Sequence, residues 1–283
     1  MSAVTAKGRR LRTAAVVTAW VAVLLAVSFW SVRKDPPTVA EQRDIAEAMP
    51  ELNRATGSLF AAAAGDDRWV LRLGELRIED CSITPVRPGR VASRDLTVFV
   101  PEGEARTALD AIAAGLPDGY QPSVMAMRGG TRLSLYADAG VFIAIEAEAL
   151  SVDQHLTIRV DSGCRPASGT AQTTDPVAGP APASLAAVLA ALKAGTPAEP
   201  GASAPAQPRT RAVTCPDGGT AATFVADGGT ADPEDGPRGV PDGAVPVWGD
   251  AGGWAYRMGS ESVVVTAQGE RLQVSVTTAC RAG

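Results

Sequence analysis

Histidine is nearly absent: His155 is the single one in 283 residues. Every site built on two histidines is thereby excluded. Cysteine is sparse as well, with four in the chain, and none sit in a C-x-x-C pair. That spacing argues against thioredoxin-type redox chemistry and against a zinc ribbon. No G-x-S-x-G elbow, P-loop or dinucleotide glycine pattern after a strand is present. Acidic residues are missing from the first 34 positions, whose six charges (Lys7, Arg9, Arg10, Arg12, Arg33, Lys34) are all basic. The remainder therefore sets 31 acidic residues against the other 20 of the 26 basic ones, a net of −11. An acidic body argues against nucleic acid as a partner, because phosphate binding needs a basic patch. The same charge argues against docking on anionic lipid. Aromatics make up only 5% of the chain, but 46% is hydrophobic, too much for a wholly disordered polymer.

One long apolar run is present. Residues 13–32 (TAAVVTAWVAVLLAVSFWSV) carry no charge, and about 20 residues of helix cross about 30 Å of hydrocarbon. Trp30 sits near the end of the run, where interfacial aromatics belong. Residues 1–12 read as a cytoplasmic tail, 13–32 as a transmembrane signal anchor and 33–40 as a linker. The bulk of the chain is then extracytoplasmic, with the plasma membrane as its location. Cleavage after Ser28, at Ala26-Val27-Ser28, is the alternative. No cysteine lies near the run to carry a lipid.

The rest of the chain repeats. Leu156-Thr-Ile158-Arg-Val160-Asp-Ser-Gly-Cys164-Arg165 is echoed by Leu272-Gln-Val274-Ser-Val276-Thr-Thr-Ala-Cys280-Arg281. Both read L-x-[IV]-x-V-x-x-x-C-R, the alternation of a half-buried strand. Upstream, Val141–Ile145 pairs with Trp254–Met258, and Ala149–Val152 with Ser262–Val265, as hairpins feeding that strand. Cys81 follows the strand 69–78, and Cys215 follows the strand 210–214. Leu96–Val100 and 220–225 are the next strands. A helical stripe precedes each half: Ile45, Met49, Leu52, Leu59 and Phe60 in the first, with Pro50 expected to kink or split the helix. Leu185, Val188, Leu189 and Leu192 mark the second, with Ser184 as N-cap and Gly195 as stop. The nested pairings Cys81–Cys164 and Cys215–Cys280 each close one repeat, whereas crossed pairings would join the two. Each bridge is worth about 3–5 kcal/mol by loop entropy. Export to an oxidising compartment suits them.

The copies are unequal. Residues 103–114 form an Ala/Leu helix in the first, while 226–250, rich in Asp, Gly and Pro, stand in its place as a loop. The expected architecture is α+β: a transmembrane helix followed by two tandem disulfide-stapled domains, 41–166 and 183–283. Each is a mainly antiparallel sheet with a packed helix. Residues 167–182, in a Pro/Ala-rich stretch, form an extended tether, and 196–208 is a further weak stretch.

The order of early Cys81, strand, helix 103–114, Gly119-Tyr120, hairpins and L-x-[IV]-x-V-x-x-x-C resembles small disulfide-bonded exported domains of actinobacteria. These are often lipoproteins and mostly without an assigned function. The resemblance covers 41–166 well and 183–281 poorly, where the middle helix is missing. It implies no catalytic residues, and the absent lipid-attachment cysteine favours a protein anchor.

Three candidate sites remain. His155 offers a general base or pH sensor, against an exposed turn residue. Asp227, Asp232, Glu234, Asp235 and Asp242 place oxygen ligands in the 227–242 loop for calcium, against a solvated loop without EF-hand spacing. Trp69, Trp248 and Trp254 offer a stacking surface for sugar or peptide, against plain packing. With Cys81, Cys164, Cys215 and Cys280 in disulfides, no catalytic, cofactor or metal residue is assigned. The function expected is a non-catalytic, membrane-anchored binding or accessory module of the cell envelope, its partner an envelope protein. A sensor or regulatory partner of another membrane protein is the alternative. A carboxylate-dependent envelope hydrolase ranks third.

Overall fold

A computed structural model describes residues 3–34, 43–194, 207–230, 237 and 240–281. The chain divides into two compact units, Met1–Thr38 and Val39–Gly283. The first holds a helix, α1 (Ala3–Lys34). Its described side chains are those of residues 15–30, all exposed. Among the described residues no helix is long and apolar enough to cross a membrane.

The second unit is mixed α+β with two antiparallel sheets. Its first half runs α2 (Ile45–Ala63), β1 (Val70–Leu73), β2 (Arg77–Thr84), β3 (Arg87–Phe99), α3 (Ala105–Gly115), β4 (Ser123–Met127), β5 (Arg132–Asp138), β6 (Ala144–Leu150) and β7 (His155–Asp161). Its second half runs α4 (Ala183–Ala194), β8 (Arg209–Thr214), β9 (Thr220–Thr230), β10 (Val245–Asp250), β11 (Gly253–Met258), β12 (Glu261–Gln268) and β13 (Arg271–Arg281). The seven-stranded sheet is ordered β1-β3-β7-β6-β5-β4, with β2 pairing β3 beyond the end of β1. The six-stranded sheet, read from the other end, is β8-β9-β13-β12-β11-β10. The two orders match position for position, so the duplication extends to topology.

Alternation explains the layers. In β5, β6 and β7 every second residue is buried, and Leu133, Leu135, Ile145, Leu156, Ile158 and Val160 join α2 and α3 in one core. In the second sheet Phe224, Tyr256, Val263, Val265, Val274 and Val276 pack against Leu185, Val188 and Leu192 of α4. The disulfides are Cys81–Cys164 and Cys215–Cys280, one within each half.

Several local expectations change. α2 is continuous through Pro50, with Asp44 as its N-cap accepting from the Ala46 amide at 2.8 Å. Pro50 lies in the second turn, where its ring removes one backbone bond. The run 69–78 divides into β1 and β2 at Gly74. Val141–Ile145 is not the counterpart of β11: topology gives that role to β5, and Val141 and Phe142 form a turn with φ of 53° and 58°. Ser184 lies inside α4, and its hydroxyl bonds the Glu261 carboxylate instead of capping. Gly195 falls outside the described residues.

The segment 167–182 is extended but docked. The Ile45 amide donates to Pro166 O at 2.8 Å, and the Ser168 amide to the Asp44 carboxylate at 2.7 Å. Ala171 packs on the first core and Ala178 on the second. Asp175 accepts from the Ala212 amide at 2.8 Å and from Arg94. The extended segment thus runs as a docked strap within the unit Val39–Gly283.

Candidate functional site

The join between the two sheets is built from unpaired backbone. β1 is the outermost strand on its side, so the N–H and C=O groups along its free edge need partners. The face of the second sheet supplies them. Ser262 Oγ accepts from the Leu71 amide at 3.0 Å, and Thr223 Oγ1 from the Leu73 amide at 3.0 Å. Arg257 donates to Trp69 O at 3.2 Å. Thr223 and Thr277 share a hydroxyl bond of 2.7 Å. These hydroxyls are buried because the second sheet is covered on both faces, by α4 and by β1.

A second clamp uses Arg94, which is 1% exposed. It donates to Ala212 O of β8 at 2.9 Å and to Asp175 of the strap. Arg165 is 0% exposed and donates to Ser162 O and Val141 O, both at 2.6 Å, and to Phe142 O at 3.2 Å. It holds the carbonyls of the left-handed turn, a costly conformation for a β-branched residue. Burial, with Arg43 nearby, pushes its pKa down. Its repeat counterpart Arg281 is exposed and pairs with Glu261.

The candidate sites fall as follows. His155 is exposed at the start of β7, with ring centroids 6.4 Å from Phe99 and 6.1 Å from Trp248. It sits on the rim of the seam. Trp69, 1% exposed, belongs to the first core, Trp254, 7% exposed, to the second, and Trp248 packs beside Phe99 at 5.1 Å. Three separate clusters claim the three tryptophans, so they form no shared stacking surface. The expected 226–250 loop is shorter, because β9 runs on to Thr230 and β10 begins at Val245; Asp227 therefore lies in β9, where it pairs with Arg271, Asp242 is exposed, and Asp232, Glu234 and Asp235 lie outside the described residues. Among the described residues no group of three His, Cys, Asp or Glu is placed to hold a metal ion.

What remains is a surface that periodicity alone did not single out. The face of the seven-stranded sheet away from α2 and α3 is open over β4–β7. Cross-strand register sets out its rows. Ser123, Tyr136, Glu146, Arg159 and Asp95 form one row, Met125, Ser134 and Glu148 the next, and Met127, Arg132 and Leu150 a third. Tyr136 is 49% exposed, Met125 55% and Leu150 51%. Asp95 anchors the row, receiving hydrogen bonds from Arg77 and from Arg159 at 3.0 Å. Burial raises its pKa, but the bonds from Arg159 and Arg77 and their charges outweigh that and hold it below the ordinary carboxylate value. Ion pairs of this kind fix a pattern of charge on the open face.

No family model matches the chain, and no curated protein matches it. A solved structure, a DUF4853 family protein from Actinomyces odontolyticus ATCC 17982, is similar at 15% identity with a TM-score of 0.33, over 51% of this chain and 81% of that one. At that TM-score the likeness carries no argument about fold or activity.

Proposed function

We propose that the chain is a non-catalytic binding module of the bacterial cell envelope, anchored through residues 13–32 and carrying its second unit outside the membrane. The observation that supports the binding role is the open face of the seven-stranded sheet, an ordered array of Tyr136, Glu146, Arg159 and Asp95 flanked by Met125 and Leu150. The anchor is supported by the uncharged run and by the exposed apolar side chains of α1, among them Trp20, Leu24, Leu25 and Phe29. An exposed apolar helix surface of this extent suits lipid.

Two measurements on the full chain test this. Alkaline carbonate extraction should leave the protein in the membrane pellet, and protease added outside the cell should cut the second unit. Release into the supernatant would remove the anchor. A photo-crosslinking residue at Tyr136 should capture a discrete protein, while the same residue at exposed Arg54 of α2 should not. Equal capture from both positions would remove the open face as the binding surface.

A further inference from the structure

The exposed strand edges of the second unit are treated unequally. β1 is capped by Ser262, Thr223 and Arg257. β8 is capped at Ala212 by Asp175 and Arg94. β2 carries Arg77, Glu79 and Asp80 and a register shift between Ser82 and Thr84. β10 carries Pro246 and a register shift between Pro246 and Trp248. Caps, charges, prolines and bulges are the devices that stop a sheet edge from pairing with another chain. β4 has none of them. Its sequence, Ser123-Val-Met-Ala-Met127, contains no charge and no proline, among the described residues it pairs only with β5, and its register is regular.

We propose that β4 is an interface between two copies of this chain, paired antiparallel about a two-fold axis at Met125. Unpaired backbone is satisfied by an extended strand, and an isologous contact requires one surface to complement itself. β4 meets that condition. With Met125 opposite Met125 of the second copy, Ser123 faces Met127 and Val124 faces Ala126. On the open face the row then reads Arg132, Met127, Ser123 of the second copy, Tyr136 of the second copy. The small serine leaves room for the methionine to reach the tyrosine ring, a favourable sulfur–aromatic contact. The neighbouring row reads Glu148, Ser134, Met125 and then the same residues reversed, so no like charges meet across the axis. Arg132 and Glu148 already neutralise each other within one copy.

A five-residue edge buries less than the roughly 1,200 Å² of a stable soluble interface. The dimer therefore depends on the effective concentration that confinement to one membrane supplies, and in that respect it rests on the anchor under Proposed function.

Cysteine substitution in the full chain in its own membrane reads the register directly. Both native pairs are closed and there is no free cysteine, so between copies of this chain an added thiol has only its equivalent to join. Residues directly opposite in an antiparallel pair lie about 4.5–5.5 Å apart at Cα, within the roughly 4.4–6.8 Å a disulfide spans. Two copies of Met127 lie four residues out of register, about 13 Å apart. Met125→Cys should give a disulfide-linked dimer on a non-reducing gel, and Met127→Cys at least tenfold less. Met125→Lys, which places like charges on the axis of an exposed strand, should convert the species captured by a lysine-independent crosslinker from dimer to monomer. A monomeric Met125→Cys, equal linking from 125 and 127, or linkage of Met125→Cys to a different protein would each overturn the proposal. Carbonate extraction of the same membranes scores the anchor separately. A released protein that still links at 125 keeps the β4 pairing but overturns its dependence on the membrane, and a retained protein that does not link overturns the pairing alone.

Discussion

Arg94 and Arg165 are charged side chains with almost no surface, and each is used to satisfy carbonyls that no strand reaches. Removing one partner of a buried pair leaves an uncompensated charge, at a cost of about 3–5 kcal/mol. Arg94→Ala should lower the unfolding free energy by about 3 kcal/mol in non-reducing denaturant titrations, since it frees Asp175 and uncaps Ala212 together. Asp95 sets a different dependence. Its carboxyl is held below the unfolded value, so its stabilisation is complete above the ordinary carboxylate pKa, about 3.9, and is lost as pH falls through the folded value. Unfolding curves of Asp95→Asn and the parent chain should therefore differ at pH 7 and converge as the pH falls through the folded value. A difference that persists at low pH would assign the effect to packing.

At the scale of elements, close approach decides. A Cβ on Gly57 of α2 would lie 2.0 Å from Thr214 O of β8. Alanine is the better helix former by about 1 kcal/mol, yet here it would force the helix from the strand. Gly57→Ala should lower the melting temperature by several degrees, where an exposed helical glycine would raise it. The Cys215–Cys280 bridge spans 65 positions. By loop entropy its loss costs about 4 kcal/mol, to be read as the shift in denaturant midpoint of the Cys215→Ser, Cys280→Ser double variant. These elements also show what could be read beforehand. The alternation at Leu156, Ile158 and Val160 and at Leu272, Val274 and Val276 marks β7 and β13, the cysteines mark both bridges, and residues 103–114 mark α3, because each signal is local and periodic. Pro50 misled because its place within the helix, near the start, matters more than its presence. The alignment of Val141–Ile145 with β11 misled because a left-handed turn on Val and Phe has no sequence signature. It exists through Arg165, which the C-R echo mentioned without revealing its burial.

At the scale of the whole molecule, both repeats fold within the one compact unit Val39–Gly283. Nothing periodic announces that Ser262 serves the amide of Leu71, 191 positions away, or that Asp175 in a Pro/Ala-rich strap serves Ala212. The stripe of Thr223, Ser262, Ser275 and Thr277 resembles an ordinary solvated face. Their burial follows only from the edge laid across them. The open face of β4–β7 was hidden for the converse reason, since its alternation is that of any half-buried sheet, and only the register brings Tyr136, Glu146, Arg159 and Asp95 into line. The central claim is that the second sheet completes the first by capping β1. Amide hydrogen exchange on the second unit tests it most directly. If β1 is capped, the Leu71 and Leu73 amides exchange as slowly as those of Leu96 and Val98 in β3, and Ser262→Ala with Thr223→Ala speeds both at least tenfold. Leu71 and Leu73 amides exchanging as fast as those of an open edge strand, and unchanged by the hydroxyl deletions, would contradict it.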